Sequence, residues 1–393
     1  MLAFTFPGQG SQRPGMGAAW ADHPSWELVA EASECSGRDI GRLLLDADAE
    51  ELRSTRNAQL VTFVQSLVVL DAVERVGLAP GACAGHSLGE YTALTATGAL
   101  SFADGVRVVA ARGDAMQDAA DDNPGTMAAV LGLDDDDVDA ACRMADGDVW
   151  VANFNAPGQV VVSGNADAVS RAADAARSLG AKKIMPLAVS GAFHTPMMAP
   201  ARDELRKALV DATLREPDVP VVANIDARTH TDAEDWRRLL SAQLSSPVRW
   251  RQSVRRLLDD GATTLVEVGP GGVLTGMAKR IERTARAVSV ANPEDLDHLL
   301  EVLAGEPPVP PGHDGEHLYV FERMVVSPAV GIFETAERWK AMPEDARLDV
   351  GELLGTIGDT EVRSLFAGEL MGMLALDGER VVSSQPIAWL RTA

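Results

Sequence analysis

The sequence predicts an α/β protein that carries an inserted ferredoxin-like module and ends in a small β-sandwich. Three observations lead there. Short apolar strands at Leu2–Phe6 and Ala82–Ala84 each run into a Gly-containing turn, and the second turn opens directly into a helix. Between residues 125 and 189 the pattern changes to β-α-β-β-α-β. Beyond a Pro-rich break at Pro307–Gly312, the chain loses helical periodicity and echoes itself in short strands and Gly turns.

Each element has its own warrant. Leu2–Phe6 is a buried-strand run stopped by Pro7-Gly8-Gln9-Gly10-Ser11-Gln12. Leu60–Val76 is apolar at helical spacing, and Pro80-Gly81 breaks it. Gly85-His86-Ser87-Leu88-Gly89 follows Ala82–Ala84 and opens a helix to about Ala99. Ser101-Phe-Ala-Asp104 reads as a helix start of capping-box type. In the insert, Met127–Leu133 is a strand and Asp134–Ala145 an acidic-capped helix. Val149–Asn153 and Gln159–Ser163 are strands around Ala156-Pro157-Gly158, Ala166–Ser178 is a helix, and Lys183–Val189 is a strand. The α/β pattern then resumes through Leu303, with a strand at Thr264–Val268.

The predicted boundaries are 1–124 with 190–303 for the α/β domain, 125–189 for the insert, 304–317 for a semi-rigid linker and 318–393 for the β domain. In that last domain, Ser327–Gly331 and Leu348–Glu352 are echoed by Ser364–Gly368 and Leu376–Glu379, and helical spacing is confined to about Thr335–Ala341.

Composition narrows the function classes. A 393-residue chain that is 46% hydrophobic can bury a core, so wholesale disorder is excluded. Its net charge of −23 repels phosphate backbones and disfavours nucleic-acid binding. Cys35, Cys83 and Cys142 form no CxxC pair, which argues against a disulfide framework or a thiolate metal site; no other metal constellation is present. Gly8-x-Gly10 is an incomplete dinucleotide fingerprint. No apolar run approaches the ~20 residues that span a bilayer. Met1–Gly8 lacks the basic and apolar regions of a signal peptide, so a cytoplasmic location is expected.

The chemistry centres on Gly85-His86-Ser87-Leu88-Gly89, a GxSxG elbow. A sharp strand-to-helix turn exposes the Ser Oγ and aims the following N–H groups at one point. A Ser N-cap in a Gly-rich turn has the same local sequence. Of the seven histidines, His23, His230, His298, His313 and His317 lie in polar, loop or linker surroundings, and His86 adjoins the nucleophile on an extended segment. His194 follows a predicted strand and is left as the base, with a packed loop histidine as the alternative. Arg112 falls on the apolar stripe of Phe102, Val106, Val109 and Met116, so its guanidinium points inward and requires an anionic partner. That partner is either an internal carboxylate or the carboxylate of a substrate, which arginine grips bidentately.

Together these residues resemble the malonyl-CoA:acyl-carrier-protein transacylases and the acyltransferases, including trans-acting ones, of polyketide synthases. The resemblance covers about Leu2–Leu303. It rests on Phe6–Gln12, Gly85–Tyr91, Arg112-Gly113, Asn153-Phe-Asn155, Gly191–His194 and Glu267–Gly271. It implies an α/β-hydrolase-like domain with a ferredoxin-like insert. It further implies malonyl transfer from malonyl-CoA to the phosphopantetheine thiol of an acyl carrier protein, in fatty-acid or polyketide synthesis and with no tightly bound cofactor.

Carried over, Ser87 is the nucleophile and His194 the base, oriented by the backbone carbonyl at Gln243. The N–H groups of Gln9 and Leu88 form the oxyanion hole, and Arg112 with Gln59 holds the acyl carboxylate. His86, Phe193 and Asn155 line the substrate pocket. Leu88 and Gly-Ala-Phe193-His194 resemble malonyl-selective members, whereas methylmalonyl-selective ones usually carry Gln after the Ser and Tyr-Ala-Ser-His at the base. A thioester hydrolase and a transferase for another dicarboxylic acyl group are the alternatives.

Residues 318–393 resemble, more weakly, the biotinyl/lipoyl-carrier fold through Val325–Phe333, Val350-Gly351-Glu352 and Leu376–Val381. The acceptor lysine that such carriers hold at a hairpin tip is absent from Gly358-Asp-Thr-Glu361, which implies a scaffold or partner-docking role. Against the overall acidity stand basic islands at Arg249, Arg251, Arg255 and Arg256, at Lys279, Arg280, Arg283 and Arg286, and at Lys182-Lys183. Some of these are expected to rim the Ser87 mouth and meet CoA phosphates or an acidic carrier.

Overall fold

Apolar runs with Gly and Pro punctuation fold here into strands and helices that divide between two compact units, residues 1–70 with 80–304 and residues 71–79 with 305–393. The computed structural model describes residues 1–189, 191–304, 322–340, 346–358, 360–364, 366–382 and 385–391. The expected linker beyond Ala304, the start of the expected β domain at residues 318–321, and Ser190 lie outside the described residues.

In the first unit the strands are β1 (Leu2–Phe6), β2 (Ala82–Gly85), β3 (Thr126–Leu131), β4 (Val149–Ala156), β5 (Gln159–Gly164), β6 (Lys183–Pro186), β7 (Val221–Val222), β8 (Thr229–His230), β9 (Thr264–Val268) and β10 (Arg286–Val290). The helices are α1 (Glu27–Ser36), α2 (Ile40–Leu45), α3 (Thr55–Arg75), α4 (Gly89–Ala96), α5 (Phe102–Asp122), α6 (Asp135–Met144), α7 (Ala166–Ser178), α8 (Ala199–Asp211), α9 (Ala233–Gln243), α10 (Trp250–Asp259), α11 (Val273–Ile281) and α12 (Asp295–Ala304). Of these, α3 runs on into the 71–79 segment.

Six strands form one sheet in the order β10-β9-β1-β2-β7-β8, parallel except for β8. Strands buried on both faces of a parallel sheet must be apolar throughout, and Ala3–Phe6 and Ala82–Gly85 are all buried. On one side Trp250, Val254 and Leu257 of α10 and Leu274 of α11 close over Ala3, Ala84 and Leu265. Phe6 pairs with Gly85, so the turn after β1 and the elbow after β2 leave the sheet side by side. Sites in parallel sheets gather at these carboxyl ends.

The four strands between residues 126 and 186 form a separate antiparallel sheet in the order β4-β5-β3-β6. Helices α6 and α7 pack Val138, Ala141, Val169 and Ala172 against Val130, Val151, Val160 and Val162. Strand β3 ends at Leu131 rather than Leu133, and two strand ends differ by three residues from those read in the sequence. Strand β4 continues to Ala156 through register shifts at Val151/Asn153 and Phe154/Ala156. Strand β6 stops at Pro186 rather than Val189: the Leu187 N–H makes one more cross-strand bond, to the Met127 carbonyl, and the Val189 N–H then turns back onto the Leu187 carbonyl.

In the second unit the strands are β11 (Glu322–Val326), β12 (Gly331–Thr335), β13 (Arg347–Leu348), β14 (Leu353–Ile357), β15 (Thr360–Arg363), β16 (Gly368–Met373), β17 (Arg380–Val381) and β18 (Pro386–Arg391). They form two four-stranded sheets, β11-β18-β16-β13 and β15-β14-β12-β17, with antiparallel pairing throughout. Phe333, Leu348, Leu354, Val362, Leu370, Val381 and Ile387 share one apolar cluster. Of the helical spacing at Thr335–Ala341, the described part, up to Lys340, holds a single 3-10 turn, Glu337–Trp339, and Ala341 lies outside the described residues.

Candidate active site

Ser87 sits at the bend between β2 and α4 with φ of 52°, a left-handed conformation that an L-residue adopts only under constraint. The glycines flanking it are required by space. A Cβ on Gly85 would come within 1.8 Å of the Gly89 carbonyl oxygen, and one on Gly89 within 2.1 Å of the Phe6 carbonyl oxygen. The turn after β1 is held as closely, because a Cβ on Gly8 would lie 2.4 Å from the His86 carbonyl oxygen. Gln9 therefore stands beside the elbow. Among the described residues neither the Gln9 nor the Leu88 N–H has a hydrogen-bond partner. Two unpaired donors at the mouth of a helix are what an oxyanion needs.

The Ser87 Oγ lies 2.8 Å from His194 Nε2. On the far side of the ring His194 Nδ1 donates to the Gln243 backbone carbonyl at 3.0 Å, which leaves Nε2 as the acceptor for the serine proton. His194 is buried, itself has φ of 60°, and follows a loop in which the Phe193 ring packs over Gly191. Burial, and then the nearby Arg112 charge, push its pKa down to about 3. The ring is therefore neutral at physiological pH.

This has a consequence for stability. The unfolded chain takes up the histidine proton at about pH 6.5, before the folded chain does, so stability present above that pH is lost as pH falls toward the folded value. Scanning fluorimetry should show a larger fall in melting temperature between pH 7 and pH 5 for the native chain than for His194→Gln.

Arg112 projects from α5 into the same place, only 1% exposed. Its guanidinium donates to Gln59 Oε1 at 2.5 Å, to Gln243 Oε1 at 2.9 Å and to Ser87 Oγ at 3.2 Å. The Tyr91 ring lies 5.2 Å from its centre, and among the described residues its buried Nε has no partner. No ion pair of Arg112 occurs among the described residues, so the internal carboxylate allowed by the sequence is not what holds it. Amide oxygens orient this cation without neutralising it, and burial pushes its pKa below the ordinary arginine value. A buried, unneutralised guanidinium beside a nucleophile is a binding site for an anion.

Two further candidates meet at the edge of the site. His86 Nε2 and Asn155 Oδ1 are 2.9 Å apart, and the His86 ring stands edge-on to Trp250 with centroids 5.5 Å apart. Sequence reasoning missed two buried residues that brace the elbow. Asn224, after β7, accepts from the Ser87 N–H at 2.7 Å and donates to the Gly85 carbonyl at 2.7 Å. Glu90, in the first turn of α4, accepts from the Asn224 N–H at 2.7 Å and from the Gln243 amide. Asn224 sits in no motif. The available signal for Glu90 was a charged residue placed between Gly89 and Tyr91 at a helix start that must face the sheet.

Glu267 of the Glu267–Gly271 motif has a structural part, accepting from the Leu274 and Thr275 N–H groups at the start of α11. The basic islands are less open than their sequence suggests. Arg251 is paired with Asp135, Arg256 with Asp260 at 2.6 Å, and Arg280 donates to Gln159. The exposed Arg249 lies over the Phe154 ring at 5.7 Å. Among the described residues there is no cluster of side chains that could hold a metal ion, and no helix is long and apolar enough to cross a membrane.

The sequence profile of the acyl transferase domain matches residues 3–295. The malonyl CoA-acyl carrier protein transacylase of Bacillus subtilis is 41% identical over 313 residues, covering 78% of this chain and 98% of that protein. The Escherichia coli K12 protein of the same name is 43% identical over 306 residues, covering 77% of this chain and 99% of its own length. Among solved structures, the acyl-carrier-protein S-malonyltransferase of Burkholderia pseudomallei superposes with a TM-score of 0.74 at 42% identity, over 76% of this chain and 99% of that one. A malonyl-transacylase in complex with its type II PKS acyl-carrier protein gives 0.74 at 41% identity, over 77% and 99%.

Proposed function

The chain belongs to the acyl transferase family, and on that premise we propose that it carries a malonyl group from malonyl-CoA to the phosphopantetheine thiol of an acyl carrier protein, by way of a malonyl ester on Ser87. The observation that carries this reading is Arg112, a buried cation 3.2 Å from the Ser87 Oγ and without a carboxylate partner among the described residues. Malonyl-CoA supplies the missing carboxylate at the far end of its acyl group.

The steps follow from the geometry. His194 Nε2 takes the proton of Ser87 as Oγ attacks the thioester carbonyl, and the Gln9 and Leu88 N–H groups meet the oxyanion. The C–S bond breaks, the CoA sulfur leaves with the proton from His194, and the malonyl ester remains. The carrier thiol then attacks that ester, its proton passing through His194 to the departing Ser87 Oγ. Arg112 has a second effect here. After burial, its charge is the next largest cause of the lowered His194 basicity, so a substrate carboxylate that neutralises it strengthens the base in part. Substrates without that carboxylate bind weakly and meet a weaker base. His86, Asn155 and Phe193 border the acyl and pantetheine space in this reading.

The test is to mix the full chain with malonyl-CoA and a phosphopantetheinylated carrier and to compare carrier loading with free malonate. Loading well above malonate release supports transfer. Malonate release without loading would mean a hydrolase.

Finer assignments of architecture belong to the same reading. The α/β-hydrolase-like label is supported by the parallel β9-β1-β2 core with its elbow after β2. The ferredoxin-like label for residues 125–189 is supported by antiparallel order β4-β5-β3-β6 with two helices. Residues 318–393 are read as a carrier-like β-sandwich without an acceptor, supported by two antiparallel sheets on one core and the β14–β15 hairpin beginning its turn at Gly358. Such a module docks a partner rather than carrying a cofactor. Intact mass of the chain produced alongside biotin and lipoyl ligases should match the unmodified sequence, and an adduct mapped to this segment would refute the reading.

A further inference from the structure

Glu90 has no part in the steps above, yet it is 1% exposed and lies directly behind the nucleophile. One carboxylate oxygen accepts the Asn224 N–H at 2.7 Å, and the other accepts Gln243 Nε2 at 2.5 Å. The Gln243 amide is thereby pinned between Glu90 and Arg112. Its nitrogen donates to Glu90 and, at 2.9 Å, to the Ser87 carbonyl, while its oxygen accepts from Arg112 at 2.9 Å. Reversing the amide would set an oxygen against the carboxylate and two hydrogens against the guanidinium. Only one orientation serves both neighbours.

We propose that Glu90 is a positioning residue for selection of the malonyl carboxylate: through the fixed amide of Gln243 it holds Arg112 in place while leaving the guanidinium free to meet an anion. The spacing matters. A carboxylate bonded directly to Arg112 would occupy the donors that the substrate uses. A carboxyl group one amide away fixes the amide and leaves those donors open. Burial pushes the Glu90 carboxyl up to about 7, against the pull of Asn224, Gln243 and Arg112 and with the push of Asp226. Near neutral pH the group is therefore close to its titration point, and what fixes the geometry is the pair of donors its two oxygens accept.

This inference rests on the malonyl-transfer reading, and its test separates the two. Single-turnover acylation is measured with malonyl-CoA and acetyl-CoA for the full native chain, Glu90→Gln, Gln243→Met and the double variant, together with melting temperatures. Gln at position 90 keeps the shape but can accept from only one of its two donors. Glu90→Gln should lose about tenfold or more with malonyl-CoA, the scale of a buried charge-assisted hydrogen bond, while acetyl-CoA changes by less than about threefold. Gln243→Met should reproduce that loss of preference, and the double variant should be no worse than either alone, because both act through one contact.

Preserved malonyl preference in Glu90→Gln would overturn the proposal, as would equal losses with both substrates. If Glu90→Gln does not fold, Gln243→Met decides, because unchanged preference there removes the route from Glu90 to Arg112. A native chain that takes acetyl as readily as malonyl would refute the functional reading itself.

Discussion

Ser87→Ala should form no acyl-enzyme at all, and its transfer rate should fall by about a million-fold, the scale reached when the nucleophile of a serine enzyme is removed. The reason lies in how few groups do the work. In this reading the base is His194, whose Nε2 lies 2.8 Å from Oγ and whose neutral ring is held by the Gln243 backbone carbonyl. His194→Ala removes the proton acceptor while leaving the hydroxyl in place, and its loss should be of similar size. The double variant should be little worse than either, since a nucleophile without its base and a base without its nucleophile are equally idle. Quenched-flow acylation with malonyl-CoA measures all three. A residual loss of only about tenfold in Ser87→Ala would place the ester elsewhere.

Arg112→Ala should have the second largest effect, and an uneven one. Removing one partner of a buried charge pair costs about 3–5 kcal/mol, so kcat/KM with malonyl-CoA should fall by roughly two to four orders of magnitude. Acetyl-CoA brings no carboxylate, and the guanidinium that depresses His194 would be gone. Acetyl acylation should therefore be retained or raised. Arg112→Lys keeps a charge but loses the planar fork held by Gln59 and Gln243, so it should recover only part of the malonyl rate. Equal losses with both acyl groups would show that Arg112 supports the fold rather than the choice of substrate.

Much of this was legible in the sequence where a residue's local pattern and its tertiary role coincide. Leu2–Phe6 and Thr264–Val268 were legible as strands to the residue, because each is a short, mostly apolar run with sharp ends, as a strand buried on both faces tends to be. The apolar stripe of α5 gave Arg112 its inward direction before any contact was known. Helix α3 begins at Thr55, earlier than the Leu60 read from periodicity, because its first turn, Thr-Arg-Asn-Ala, carries no apolar stripe. The brace around the elbow was beyond reach for a different reason. Asn224 meets Ser87 across 137 residues and Gln243 meets Glu90 across 153, and neither pairing leaves a local pattern. The pairing of Arg251 with Asp135 was hidden in the same way, since the sequence shows a basic island and only the fold supplies the acid.

The central claim is that Ser87 accepts a malonyl group because Arg112 waits for its carboxylate. Intact-protein mass spectrometry after brief exposure to malonyl-, methylmalonyl- or acetyl-CoA, followed by peptide mapping, tests it most directly. The account predicts a malonyl adduct on Ser87, absent in Ser87→Ala, far more abundant than the acetyl adduct and cleared when a phosphopantetheinylated carrier is added. An adduct on another residue, or acetyl and malonyl adducts in equal amount, would contradict it.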